Sequence, residues 1–117
     1  MQRKIIIWVD DIRDPLNNLK FNLKDINKIF WCKSYDEFVK TLNKVKIPDS
    51  IYFDHDLGDI NNSEGEKTGY DCAKYLIDFC IDNNIKLPKF YSQSDNGPGR
   101  ENILKLLENY KRFECNN

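Results

Sequence analysis

"KIIIWVDDIRD", residues 4–14, is apolar from Ile5 to Val9 and then turns at once into paired acids. A continuous apolar run bounded by charge is how a strand buried on both faces reads, and such strands belong to parallel sheets. The stretch "SIYFDHDLGD", 50–59, makes the same switch and adds the only histidine of the chain, His55. Further strands are predicted at 28–32, "KIFWC", and at 88–92, "PKFYS". Helical spacing lies between them. "SYDEFVKTLNKV" opens with Ser34 and carries Glu37 three residues on, a capping-box pattern. Its Tyr35, Phe38, Val39, Leu42 and Val45 form an apolar stripe. "TGYDCAKYLIDFCIDNN" opens on Thr68 and places Ala73, Leu76, Ile77, Cys80 and Ile81 on one face. "NGPGRENILKLLENYKRF" has Pro98 where a first helical turn tolerates it, and a stripe of Ile103, Leu106, Leu107 and Tyr110. Residues 13–27 read as a loop with at most a short helix, and 58–68 as a polar loop.

Strands alternating with helices imply right-handed crossovers and a parallel α/β sheet. With 117 residues, the length fits one domain, 1–117. A composition of 40% hydrophobic and 32% charged residues is that of a folded globular chain. A net charge of −1 gives no general pull toward nucleic acid or acidic membrane, so duplex nucleic acid is not an expected partner. No apolar run reaches membrane-spanning length, and the N-terminal apolar stretch ends in two aspartates rather than a cleavage site, so a cytoplasmic location is expected. Cys32, Cys72, Cys80 and Cys115 form no CxxC pair and are expected to be reduced structural thiols.

In open parallel sheets ligands bind beyond the carboxyl ends of the strands, where strand order reverses. For the order 2-1-3-4 that point lies between strands 1 and 3, so Asp10 and Asp11 are expected to face Asp54. Converging carboxylates repel unless a cation or shared protons intervene. Hard oxygen ligands suit Mg²⁺, or Mn²⁺. The expected ligand set is Asp11 and Asp54, with Asp10 direct or through water and the backbone carbonyl of Asp56. The other reading is a set of acids capping nearby turns.

The residues "VDDIRD", Asp54 and Ser92 at the tip of strand 4 resemble the receiver domain of response regulators. That resemblance implies a flavodoxin-like, receiver-like three-layer sandwich, Mg²⁺ on Asp10 and Asp11, phosphoryl transfer to Asp54, and a phosphate contact from Ser92. The chain departs from it by ending after strand 4 and one helix, without the fifth strand and its lysine. The sheet is therefore expected to be shortened to four strands. "DDIRDP" (10–15), "DHDLG" (54–58), "TGYD" (68–71) and "SQSDNGPGREN" (92–102) are more closely similar to a divergent relative, the cyclic-phosphate processing receiver domains. Where that family tends to carry a histidine before the strand-4 serine, Tyr91 stands here.

The second resemblance implies metal-dependent binding of a cyclic nucleotide or cyclic phosphate, and its hydrolysis by a phosphodiesterase-like activity. The catalytic candidates are Asp54, His55 and Asp11. His55 is a candidate general acid if strand alternation leaves it on the ligand side. Arg13, Asn96 and Arg100, with Ser92, are the candidate phosphate contacts. Arg100 lies in the first turn of a helix whose N-terminus favours anions. Two other readings are a non-catalytic binder that sequesters a nucleotide, with Tyr91 or Trp8 stacking a base, and a degenerate receiver phosphorylated on Asp54.

Overall fold

The structure, a computed structural model, is described for residues 4–18, 26–57 and 67–115. Its elements run β1 (Lys4–Val9), α1 (Pro15–Asn18), β2 (Ile26–Cys32), α2 (Tyr35–Val45), β3 (Ser50–Phe53), α3 (Gly69–Asn83), β4 (Lys89–Ser92) and α4 (Gly97–Cys115). The four strands form one parallel sheet in the order β2-β1-β3-β4. The fold is the receiver-like α/β arrangement that the two apolar runs imply. Residues 19–25 of the segment read as a loop, and 58–66 of the polar tract, lie outside the described residues.

Strand alternation divides the sheet into two faces. Ile7, Val9, Ile51 and Phe53 enter a core with Phe38 and Leu42 of α2, Leu76 and Phe79 of α3, and Ile103 and Leu107 of α4. On the opposite face, Trp8 pairs in register with Trp31 on one side and Tyr52 on the other. Trp8 is fully buried, which makes it packing rather than a base platform, whereas Tyr91 is 45% exposed and stacks on Tyr52 with ring centroids 4.7 Å apart. Ile81, expected in the stripe of α3, is exposed, and Cys72 and Phe79 take its place in the core. The helix is rotated so that 72, 76, 79 and 80 face inward, a 3.6-residue period displaced from the one the sequence favoured.

Local caps fix the helix starts. Ser34 accepts the Glu37 amide at 3.2 Å at the head of α2. At α3 the box is reciprocal: Thr68 Oγ1 accepts the Tyr70 amide at 3.2 Å, and Asp71 Oδ2 accepts the Thr68 amide at 2.9 Å. Two donors otherwise orphaned at a helix start are thereby satisfied. Thr68→Ala is expected to destabilise the fold by about 1 kcal/mol, read as a lower midpoint in urea unfolding. Cys32, Cys72 and Cys80 are buried and in no disulfide, and burial pushes the thiols of Cys32 and Cys80 up to about 11. Thiols so suppressed are poor nucleophiles and serve as packing.

Candidate metal and phosphate site

Because β1 and β3 are neighbours, the residues that follow them meet at one end of the sheet. Val9 pairs with Phe53, and the Asp54 amide donates to the Val9 carbonyl at 2.8 Å. Asp10, Asp11 and Asp54 thus converge, each offering a carboxylate oxygen within 4.8 Å of the others. They line a cavity of about 220 Å³ together with Arg13, Asp56 and Asp95. Ile12, Ser94 and Asn96 complete its wall. Among the described residues, five carboxylates therefore face one guanidinium.

The three acids are not equivalent. Asp10 is fully buried and its oxygens are engaged: Oδ1 accepts the amides of Ile12 and Arg13 at 3.0 and 2.8 Å, and Oδ2 accepts Arg13 Nη1 and Gln93 Nε2, each at 3.3 Å. This makes Asp10 the organiser of the DDIR turn. Asp11 Oδ1, in contrast, is buried without a hydrogen-bond partner. An unsatisfied buried carboxylate oxygen costs several times a lost ordinary hydrogen bond, so an orphan there needs an explanation. A hard divalent cation supplies one. An all-oxygen donor set with an unused carboxylate oxygen fits Mg²⁺ or Mn²⁺.

Asp54 is nearly buried. Burial, and then the neighbouring Asp10 charge, raise its pKa; hydrogen bonds from Ser94 and the His55 amide, and the charge of Arg13, act the other way. Arg13 spans the cluster, with Nη1 3.3 Å from Asp10 and 3.7 Å from Asp54, while Nη2 pairs with Asp95. The guanidinium sits where it offsets the acids. Arg13→Gln is expected to tighten Mg²⁺ binding about threefold to tenfold, since the ion no longer competes with a resident cation. Calorimetric titration with MgCl₂ checks this; weaker binding would contradict it.

Several candidates have other partners. The Ser92 hydroxyl donates to the Phe53 carbonyl at 2.8 Å and does not line the cavity. The serine that does is Ser94, two residues further on, which also bonds Asp54. Ser94 is preceded by Gln93, whereas Ser92 is preceded by Tyr91. Gln93 donates to the Val9 carbonyl at 3.0 Å, tying the end of β4 to β1. β4 ends at Ser92, as the sequence predicts, and it is Ser94, two residues beyond the strand, that reaches Asp54.

Asp54 and Asp56 line the acidic cavity, whereas His55, at a bend just beyond β3, lines a different one. Its Nδ1 lies 2.9 Å from Asp56 Oδ1, and this contact is the main reason the Asp56 carboxyl is held below its usual range. Asn96 Nδ2 donates to Asp56 at 3.3 Å. At α4, Asn96 Oδ1 accepts the Gly99 amide at 3.0 Å and its carbonyl accepts the Arg100 amide at 2.8 Å. The helix start is thus capped from within. Arg100 donates to the Ser94 carbonyl at 3.1 Å and is not in the cavity lining, so it holds the loop that carries Ser94 rather than facing the acids.

Two glycines let these pieces close up. A β-carbon on Gly69 would lie 1.7 Å from the Asp54 carbonyl oxygen, and one on Gly99 would lie 2.5 Å from the His55 ring. The TGYD and GPGR motifs are therefore contact surfaces for the DHDLG turn.

A shortened parallel sheet in the order 2-1-3-4, with acids from β1 and β3 meeting at its carboxyl end, defines a receiver-like domain. More narrowly, the chain belongs to the cyclic-phosphate processing receiver domain family, whose profile matches residues 5–109. No protein of curated function matches the chain. Among the described residues no helix is long and apolar enough to cross a membrane.

Proposed function

We propose that the acidic cavity binds Mg²⁺ and a cyclic nucleotide or cyclic phosphate end, and that it hydrolyses the cyclic phosphodiester. The observation that carries this is the orphaned Asp11 Oδ1 beside Asp54 and Asp10, in a chain of this family. Asp11 and Asp54 would hold the metal directly, Asp10 through Oδ2 or a water, and the backbone carbonyl of Asp56 would complete the set. Bound there, the cation supplies Lewis-acid stabilisation of charge on the phosphate oxygens.

The chain's own groups provide the rest. Arg13 offers two N–H donors to a phosphate oxygen, exchanging its contact with exposed Asp95 for the ligand. Ser94 and Asn96 orient the phosphate by neutral hydrogen bonds. In hydrolysis, the oxygen of water forms a bond to phosphorus while one ring P–O bond breaks, and a proton passes from water to the leaving alkoxide. Among the lining residues only carboxylates can accept that proton, because no imidazole lines the cavity. Asp56, bonded to His55 Nδ1, is assigned this transfer, with His55 acting through it.

One observation favours a second reading. Gln93 precedes the cavity-lining Ser94, where the family tends to carry a histidine before the serine, and an amide transfers no proton, which suits a binder that sequesters its ligand without turnover. Phosphorus NMR separates the two. With 2′,3′-cyclic nucleotides, 3′,5′-cyclic nucleotides, protein and Mg²⁺, new monoester resonances that EDTA prevents are expected for hydrolysis. Shifted or broadened resonances without product mean binding alone, and an unchanged panel would overturn both.

A further inference from the structure

On the far side of the His55 ring lies a second cavity, of about 470 Å³, lined by His55, Tyr70, Asn102, Lys105, Leu106 and Asn109, with Thr68 at its margin. Its chemistry is opposite to that of the first. Among the described residues not one carboxylate lines it, and Lys105 supplies a positive charge. Asn102, Lys105, Leu106 and Asn109 follow at intervals of three, four and seven residues, so they present one face of α4. None of the hydrogen bonds among the described residues uses the side chains of Asn102, Lys105 or Asn109. The two cavities meet at one pair of side chains: His55 lines the larger, and its Nδ1 bonds Asp56, which lines the acidic one.

We infer that the second cavity is the nucleoside subsite of the ligand whose phosphate the acidic cavity holds. This deepens the function proposed above and rests on it. Size supports the division. Pockets for small organic ligands run from roughly 300 Å³ upward, so an acidic cavity of about 220 Å³ accommodates a metal and phosphate but not a whole nucleotide. The neighbouring 470 Å³ is enough for a base and its ribose. The lining suits them: carboxamides match the mixed donor and acceptor edge of a nucleobase, and the Tyr70 ring and Leu106 offer apolar surface to its face. Lys105 offers ammonium donors to the ring nitrogens and hydroxyls of the nucleoside. His55 is then a positioning residue between the two halves.

The test uses the full chain with Mg²⁺ and 2′,3′-cyclic AMP, and inorganic phosphate as a second probe. Lys105→Gln combined with Asn109→Ala alters only exposed side chains. This double variant is expected to bind cyclic AMP at least tenfold more weakly while its affinity for phosphate is unchanged. In ¹⁵N spectra of the parent, cyclic AMP but not phosphate is expected to shift the side-chain amides of Asn102 and Asn109. Equal affinity of variant and parent, with cyclic AMP binding still lost on Asp11→Asn, would overturn the subsite and leave the proposed function standing. Cyclic AMP binding that survives Asp11→Asn would overturn it too, by separating the two cavities. Absence of binding to the parent would remove both.

Discussion

Gly69→Ala is expected to destabilise the protein by about 3 kcal/mol or more, at the upper end of what overpacking a closed site costs. The added methyl would lie 1.7 Å from the Asp54 carbonyl oxygen and 2.7 Å from its carbon, both backbone atoms with no rotamer to escape into. Relief requires α3 to back away from the β3 turn, which breaks the 2.8 Å bond from the Gly69 amide to the His55 carbonyl. It also draws the capping box of Thr68 and Asp71 off the turn. The effect has two readouts. Thermal unfolding should fall by on the order of 10 °C, and Mg²⁺ affinity should fall with it because Asp54 moves. Gly97→Ala is the control: a β-carbon there meets nothing within 4 Å, although Gly97 also stands at a helix start. Equal losses from both substitutions would contradict the close-approach account.

Asp54→Asn is expected to stabilise the metal-free protein and to abolish its stabilisation by Mg²⁺. In the folded chain the Asp54 carboxyl is raised, first by burial and then by Asp10. Folding therefore binds its proton more tightly than the unfolded chain does. The stability this group contributes is complete below its unfolded pKa, roughly 3.9, and is lost as pH rises through the higher folded value. At neutral pH the ionised carboxylate is a liability, and the isosteric amide removes it while keeping an oxygen for the His55 amide, 3.0 Å away. The melting temperature in EDTA at pH 7 should rise by a few degrees, and that gain should vanish on acidification. In the parent, Mg²⁺ at 100 times its dissociation constant should stabilise by about 2.7 kcal/mol, and in the variant by almost nothing. A variant that is less stable in EDTA would show that Asp54 is neutralised by something other than a bound cation.

The strands at 4–9 and 50–53 were legible to the residue because each is an apolar run that stops at a charge. The meeting of Asp10, Asp11 and Asp54 was legible for a topological reason: with β1 beside β3, residues one step past each strand must adjoin. The role of Ser94 was not. Both Ser92 and Ser94 follow the apolar part of β4, and only the path of the chain beyond the strand decides which reaches Asp54. Arg100 was misleading in the same way. A helix start looks anion-seeking until Asn96 is seen to cap it, and that cap is a local side-chain choice no spacing reveals. For His55 strand alternation was no guide, because β3 ends at Phe53 and the chain bends at His55. The contact of its ring with Gly99 is tertiary, and only the fold shows it.

The central claim is that one cavity holds both a divalent metal and the ligand's phosphate. Mn²⁺ substituted for Mg²⁺ tests it directly through paramagnetic relaxation of the phosphorus of 2′,3′-cyclic AMP in the presence of the protein. The account predicts strong broadening of the ³¹P resonance beyond that caused by free Mn²⁺, abolished by Asp11→Asn and by Asp54→Asn. Broadening no greater than free Mn²⁺ produces, with the nucleotide demonstrably bound, would contradict it.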